Sequence, residues 1–541
     1  MQMPRIAFFC MEYGLESDFK IYAGGLGILA GDYLKAARDM GLPIVGIGLL
    51  WKQGYTRQVL NEKDYPVDTY PNYKYDFLED TGIKIRVKIR NRDVYCRVWK
   101  VDNFDNAPLY LLDTDLDENE DRWITGQLYG YFEEERVAQE MVLGIGGIKA
   151  LKALGIEVDV YHLNEGHAVF AALELIKEQM QKGLSFAEAR ELVKEKVVFT
   201  THTPVKQGNE EHTYRRLDYM GAFDFFTPEQ MGEIGGIPFN MTVAGLRLAG
   251  KANAVSSLHN ITANNMWAHI DNRAEIIGIT NGVHRPTWVS DKIVQNTSNP
   301  GGLWEVHKGL KQELIDFIHK RTGQKLDINK LLIGFARRAV PYKRGNLIFK
   351  NNDRIEPLLK EGKIQIIFSG KAHPLDDEGK EIIASQVGLA RKYPGQVVFL
   401  EDYDMEIARY MTRGCDVWLN NPRKPMEACG TSGMKAAMNG VLNLSVLDGW
   451  WAEACRDGKN GWQFGDGMSA DDFTGDLEAR VIKQDRNDLT ALYDVLYTRV
   501  LPTYYNNREE WLKMMERSID STYDRYSARR MLGDYYNLLY Q

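Results

Sequence analysis

The sequence predicts an α/β protein built from two doubly wound domains, and three observations carry that expectation. An apolar strand run at Ile6–Cys10 leads through Ala23-Gly-Gly-Leu-Gly27 into a helix-patterned stretch and a second strand run at 43–50. That is the strand, glycine turn, helix, strand unit of such folds. A second series of short apolar runs, separated by helical stretches, begins near Leu331. Between the two series, 288–301 is poor in apolar pattern and contains Ser, Asn and Pro, as a domain boundary does. At 541 residues the chain exceeds what one core holds. The expected domains are 1–288 and 289–526, with a last helix over 527–541.

In the first half, Leu29, Tyr33, Leu34 and Ala37 give helical spacing from about 28 to 40. The glycine turn is not G-x-G-x-x-G, so no dinucleotide fingerprint is met. Asp113 to Asp121 resembles a calcium loop but has Glu118 at the sixth position and Ile124 at the twelfth, and reads as a solvated acidic loop. Glu133 opens a long amphipathic helix running to about Ala153. Three strand runs then end in polar residues: 158–164 enters Glu165-Gly-His167, 196–202 enters Thr203-Pro204, and 275–280 enters Asn281 to Pro286. Ligands bind beyond the carboxyl ends of strands in open parallel sheets, so three such ends in succession point to a site. His162 and His167 do not form H-E-x-x-H and suggest no third ligand, so no metal site is expected.

In the second half, strand runs are expected at 331–336, 364–369, 396–400 and 417–419. The first ends in Arg337-Arg338-Ala-Val-Pro-Tyr342-Lys343-Arg344, a basic cluster that suggests an anion pocket in an otherwise acidic chain. Further on, Glu427-Ala-Cys429-Gly430-Thr431-Ser432-Gly-Met-Lys435 brackets two hydroxyls with glycines and opens a short helix that stops at Asn439-Gly440. A glycine turn opening a helix presents backbone N–H groups to a phosphate. A lysine one turn further on suits pyridoxal phosphate, which needs an amine for its aldehyde and a nest for its 5′-phosphate.

The formal net charge of -8 argues against a nucleic-acid partner. Five scattered cysteines with no C-x-x-C pair indicate neither a disulfide framework nor a cysteine zinc site. No signal-like or membrane-spanning run is read, so a cytoplasmic enzyme is expected, with no membrane partner.

The segment Glu427 to Lys435 closely resembles the cofactor-lysine segment of the α-glucan phosphorylases, which act on glycogen, starch or maltodextrin. Further motifs follow in that family's order. Gly24, Gly25, Leu26 and Gly27 match a loop whose backbone packs against phosphate and sugar, with Gly25 toward the cofactor. Asn164, Glu165 and His167 match a segment lining the cleft. The resemblance gives His202 and Asn281 sugar contacts, and counts His202 among the catalytic residues. Arg338, Tyr342 and Lys343 match the segment that binds both phosphates, with Arg337 in place of a lysine and directed at the cofactor. Tyr403 would lie near the pyridine ring, and Thr431 and Ser432 at the cofactor phosphate. Glu427, Tyr342, Cys429 and Gly430 fall on the sugar side, although Cys429 stands where serine is usual.

The resemblance implies the GT-B architecture, two Rossmann-like domains facing a central cleft, with the last helix returning to the first domain. It implies reversible phosphorolysis of α-1,4-glucan to α-D-glucose 1-phosphate, with pyridoxal phosphate as cofactor, glucan and inorganic phosphate as partners, and a homodimer or higher homo-oligomer. The chain opens almost at its first strand, so regulation through a phosphorylated tail is not expected. Two phosphates held together raise each other's pKa and share a proton near neutral pH. Arg338 and Lys343 make that crowding tolerable, and the substrate phosphate then protonates the glycosidic oxygen. The main alternative is a nucleotide-sugar glucosyltransferase of the glycogen synthase type, which needs the basic pair but not the amine of Lys435. An aminotransferase and a degenerate glucan-binding protein are weaker alternatives.

Overall fold

A computed structural model describes residues 3–130, 133–205 and 208–541. The chain folds as two compact units. The first takes the chain up to Thr56, then Tyr70–Asn281 and Ala528–Gln541, and the second takes Arg57–Thr69 and Gly282–Ser527.

The first unit holds a nine-stranded sheet. Its order is Ile276–Gly278, Lys251–Ala254, Val197–Thr200, Val160–Asn164, Ile6–Phe9, Ile44–Leu49, Leu109–Asp113, Arg92–Val101 and Glu79–Ile89. Neighbours are parallel as far as Leu109–Asp113. The last two strands join antiparallel. Ile6–Phe9 and Val197–Thr200 are buried at every position, as strands covered on both faces are. Glu79–Ile89 alternates exposed and buried residues at its inner end, so one face meets solvent.

The glycine segment is not a loop before the helix. The helix is Gly25–Asp39, with Gly24 as an extended N-cap, so the glycines form its first turn. They permit close packing: a Cβ on Gly27 would lie 2.6 Å from Glu12 Oε2, and one on Gly31 would collide with the Gly14 carbonyl. The long helix expected from Glu133 runs as Glu134–Met141, a π turn at Val142–Gly146, and Gly147–Ala153. The acidic loop is less solvated than its composition suggests. Asp115 pairs with Lys52 and Arg122, and the buried Asp121 pairs with Arg90. Among the described residues no group of acids, histidines or cysteines is arranged to hold a metal ion.

The C-terminal helix Ala528–Leu538 belongs to this unit. Tyr540 fastens the tail beyond it: its hydroxyl lies 2.7 Å from Tyr33 Oη and 2.6 Å from His162 Nδ1. His162 Nε2 continues the chain to Thr200 Oγ1 at 2.6 Å.

The second unit is built on a six-stranded, wholly parallel sheet. Its order is Val397–Leu400, Ile364–Ser369, Leu331–Ala336, Val417–Asn420, Leu442–Ser445 and Gly461–Gln463. Sequence pattern puts residues 57–69 in the first domain, but the hairpin Arg57–Leu60 and Pro66–Thr69 packs with the second unit. Its contacts explain why. Gln58 Nε2 donates to the Ala372 carbonyl at 3.2 Å and its Oε1 accepts the Ala372 N–H at 3.0 Å. Lys380 pairs with Asp68 at 2.7 Å and Arg391 with Asp64 at 2.7 Å. The stretch read as a patternless boundary contains the start of a 23-residue helix, Pro300–Thr322, capped by the Asn299 side chain. This helix packs on Met405–Gly414, where Phe317 and Tyr410 stack at 4.2 Å. Among the described residues no helix is long and apolar enough to cross a membrane.

Candidate active site

In the six-stranded sheet of the second unit the strands all point the same way, so their carboxyl ends share one edge. Arg337 follows Leu331–Ala336, Tyr403 follows Val397–Leu400, and Asp448 follows Leu442–Ser445. Gly430 turns the chain at φ +83, and Thr431 N-caps the short helix Ser432–Met438 with its hydroxyl making no cap bond. Ser432 Oγ accepts from Trp418 Nε1 at 3.2 Å. Gly433 has no room for a side chain: a Cβ would lie 2.6 Å from Asn443 Oδ1 and 2.9 Å from Trp450 Nε1.

Lys435 is buried on this helix, with Nζ 3.5 Å from the centroid of the Trp288 ring. Asn439, the helix stop, holds the two together. Its Nδ2 donates to the Lys435 carbonyl at 2.8 Å and to the Trp288 carbonyl at 3.1 Å, and its Oδ1 accepts the Ser290 N–H at 2.9 Å. Arg413 Nε also donates to the Trp288 carbonyl, at 2.9 Å. The indole face thus receives an ammonium from above, a favourable placement for a cation.

The basic cluster is divided. Arg337 Nη2 lies 2.9 Å from Glu427 Oε2, and Lys343 Nζ lies 3.0 and 2.8 Å from the two Glu427 oxygens. Burial works to raise the Glu427 pKa, but Arg337 and Lys343 outweigh it and hold it at about 2. The Arg337 side chain is only 8% exposed, yet its Nε and Nη1 are buried without a partner. Buried donors are normally satisfied, so two on one guanidinium call for an anionic acceptor. Arg338, expected in the same pocket, is exposed and makes no ion pair among the described residues; Arg337 and Lys343 are the cations that share Glu427. Tyr342 stacks beside Lys343, whose Nζ lies 5.1 Å from its ring. Burial raises the Tyr403 pKa while the Arg337 charge opposes it. Cys429 is buried, and its carbonyl accepts the Trp450 N–H at 2.9 Å.

Arg344 fixes the turn that presents Lys343. It is buried at φ +51, with Nε donating to the Asn421 carbonyl at 2.6 Å and Nη2 to the Pro422 carbonyl at 2.9 Å. It also pairs with Asp485 at 3.0 Å and Asp488 at 2.8 Å.

In the first unit, the parallel strand ends likewise gather polar groups. Glu165, at φ +75, accepts from the His202 N–H at 2.7 Å and from Thr203 Oγ1 at 3.1 Å, and burial pushes its pKa to about 7. His202 Nε2 lies 2.7 Å from Asn164 Oδ1, and Asn164 Nδ2 donates to Cys10 Sγ at 3.3 Å. Burial pushes the His202 pKa down to about 3, so its ring is neutral across the working range of an enzyme. Asn281 is buried, with its N–H on the Val255 carbonyl and its side-chain Oδ1 without a partner. His167 Nε2 lies 3.5 Å from Glu210. The glycine turn differs from expectation at Gly24: Glu12 Oε2 accepts the N–H groups of Ala23 at 2.6 Å and Gly24 at 3.0 Å, so the Gly24 N–H is already engaged. Beside Gly24 and the exposed Gly25 no atom lies within 4 Å of where a Cβ would stand, and Leu26 is half-buried.

Sequence reading did not find Glu12, Trp288 or Asp448. Glu12 carried one available signal, its position just beyond a strand end. Asp448 carried the same signal, just beyond Leu442–Ser445, and nothing local marks Trp288.

A buried lysine, an unsatisfied guanidinium and a carboxylate at the strand ends of a parallel sheet place an anion-seeking site where ligands bind in open α/β folds. The family profile described as carbohydrate phosphorylase matches residues 290–540. The maltodextrin phosphorylase of Thermococcus litoralis is 38% identical over 99% of this chain and 70% of its own length. The glycogen phosphorylase of Aquifex aeolicus is 37% identical over 99% of this chain and 86% of its own. A protein of Methanocaldococcus jannaschii is 34% identical over the full length of both chains. The chain belongs to the carbohydrate phosphorylase family, and is a glycosyltransferase of carbohydrate metabolism.

Proposed function

We propose that the protein catalyses reversible phosphorolysis of α-1,4-glucan, releasing α-D-glucose 1-phosphate, with pyridoxal 5′-phosphate bound in the second unit. The observation that carries this reading is Arg337: two buried N–H groups without acceptors, on a guanidinium whose third nitrogen holds Glu427 beside Lys343. The residues present fit the cofactor. Lys435 offers the amine, and Arg337 and Thr431 suit its phosphate, with Ser432 alongside. Trp288 and Tyr403 offer ring surfaces. When bound, the cofactor supplies a phosphate that shares a proton with the substrate phosphate.

The chain's own groups do the rest. Lys343 binds the substrate phosphate, and the exposed Arg338 is available to it. Glu427 stays ionised and accepts sugar hydroxyls while neutralising part of the cationic charge. Tyr342, Cys429 and Gly430 line the same loop side. In the first unit, neutral His202, Asn281, Asn164 and Glu165 hold glucose hydroxyls, together with the Gly24 and Leu26 backbone, while Gly25 faces the cofactor. A neutral His202 acts as a hydrogen-bonding partner, not as the proton donor.

The test is glucose 1-phosphate release from maltodextrin, with and without inorganic phosphate, in wild type and Lys435→Ala. Phosphate-dependent release is expected from wild type, and the variant should purify without cofactor and without activity. Glucosyl transfer from a nucleotide sugar with no phosphate dependence would replace this reading, and stoichiometric cofactor in Lys435→Ala would refute the lysine assignment.

A further inference from the structure

The turn after Leu442–Ser445 clamps the loop that carries Glu427. Asp448 Oδ2 accepts the Glu427 N–H at 2.9 Å, and Oδ1 accepts the Gly449 N–H at 2.9 Å. Two residues on, the Trp450 N–H donates to the Cys429 carbonyl at 2.9 Å. Between them Gly449 sits at φ +52, and a Cβ there would collide with the Cys429 carbonyl. The two loops therefore meet through the Asp448 carboxylate and one main-chain bond, at a turn whose next position has no room for a side chain.

Asp448 is 3% exposed and makes no ion pair among the described residues. Burial pushes its pKa up to about 7. The Glu427 N–H and Lys424 pull it down, and the Glu427 charge pushes it further up. Arg337 and Lys343 pair with the Glu427 carboxylate, whose main chain Asp448 holds. A carboxylate that is costly to ionise, yet spends both oxygens on holding one loop, is poorly explained by stability alone.

We propose that Asp448 is a positioning residue: by holding the Glu427 main chain it fixes the Glu427 carboxylate between Arg337 and Lys343, and so sets how firmly the glucan's sugar is gripped. The inference rests on the phosphorolysis reading above. Ionised Asp448 makes charge-assisted bonds to the loop, and protonated Asp448 makes weaker ones.

The test is Asp448→Asn, compared with wild type from pH 5 to 8.5 in phosphorolysis of maltodextrin and in thermal melting. The variant retains shape but loses the charge and one acceptor. At pH 8 its kcat/KM for glucan should fall roughly 10- to 100-fold, the loss of one hydrogen bond to a charged group. The ratio of wild type to variant should shrink as pH falls below 7, whereas phosphate's own ionisation affects both proteins alike. Melting supplies a readout independent of activity. The folded pKa of Asp448 is raised, so wild-type stability falls as pH rises from the unfolded carboxylate value toward the folded one. The melting temperature of the variant should therefore rise relative to wild type between pH 5 and 7. A ratio that is constant with pH, or a constant melting difference, overturns the proposal. Gly449→Ala provides a second arm should the first variant not fold. It drives the same loops apart without changing charge, and wild-type kinetics in it would also overturn the proposal. Wild-type protein that releases no glucose 1-phosphate would sink the phosphorolysis reading, and the melting comparison would then decide the case of Asp448.

Discussion

Replacing Lys311 by methionine should destabilise the second unit more than any exposed charge change in it. Lys311 lies on the helix Pro300–Thr322 with its side chain 1% exposed. Its Nζ donates to Asp416 Oδ2 at 2.6 Å, to the Lys330 carbonyl at 2.6 Å and to Tyr504 Oη at 3.2 Å. Asp416 is fully buried and also accepts from His307 Nε2 at 2.9 Å and the Leu332 N–H at 2.8 Å. Burial favours the neutral acid, but Lys311 and His307 outweigh it and hold the Asp416 pKa below the usual range. Methionine preserves the aliphatic packing, so the loss is electrostatic. Breaking a buried pair from one side costs about 3–5 kcal/mol, because Asp416 loses its largest compensating charge and keeps only His307 and the Leu332 N–H. For a unit of this size that is roughly 6–20 °C in melting temperature. Calorimetry on wild type, Lys311→Met and Lys311→Met/Asp416→Asn measures it. The double variant should recover much of the loss, since the buried charge is gone. The folded pKa is depressed, so the pair's contribution is present above the unfolded carboxylate pKa of about 3.9 and is lost as pH falls through the folded value. A shift of less than about 2 °C in the single variant, or no recovery in the double, would refute the reasoning.

Three further outcomes follow from the same geometry. Arg344→Lys cannot reproduce the forked contacts to Asn421, Pro422, Asp485 and Asp488, and should raise the apparent KM for phosphate roughly tenfold by releasing the Lys343 turn; an unchanged phosphate dependence would count against Arg344 as its anchor. Glu427→Gln should lower phosphorolysis at least about tenfold without moving the pH profile between 5 and 8, because Glu427 titrates at about 2 and is ionised throughout; a displaced acid limb would contradict this. Tyr540→Phe orphans His162 Nδ1 and should cost about 1–3 kcal/mol, seen as faster hydrogen exchange in Ala528–Leu538 with the second unit unaffected.

Much of the fold was legible because buried parallel strands read as unbroken apolar runs. Leu331–Ala336 and Ile364–Ser369 fall where those runs put them. Other features are set by contacts, not by local pattern. The hairpin of Glu79–Ile89 and Arg92–Val101 went unread among its many charged residues, although Ile83, Ile85, Val87 and Ile89 alternate at the period of a strand. Pro300–Thr322 begins Pro-Gly-Gly, which resembles a turn, but the Asn299 side-chain cap and a proline at the start open a helix there. Residues 57–69 carry no mark of the unit they join, because their membership is decided by Gln58, Asp64 and Asp68 meeting Ala372, Arg391 and Lys380.

The site divides along the same line. Arg337, Lys343 and Glu427 were legible because each belongs to a short contiguous motif that follows a strand, and Lys435 because it stands one turn into the helix opened by the glycine motif. Which cation grips which carboxylate was not legible: Arg337 and Arg338 are adjacent, yet one is buried against Glu427 and the other faces solvent. The residues that hold these groups in place lie still further from them in sequence. Trp288 lies under Lys435 because Asn439 ties both carbonyls, and Asp448 reaches Glu427 across a turn. Glu12 spends its carboxylate on the N–H groups of Ala23 and Gly24, so the positive end of that helix already has a negative partner. An anion brought to this turn would have to compete with Glu12.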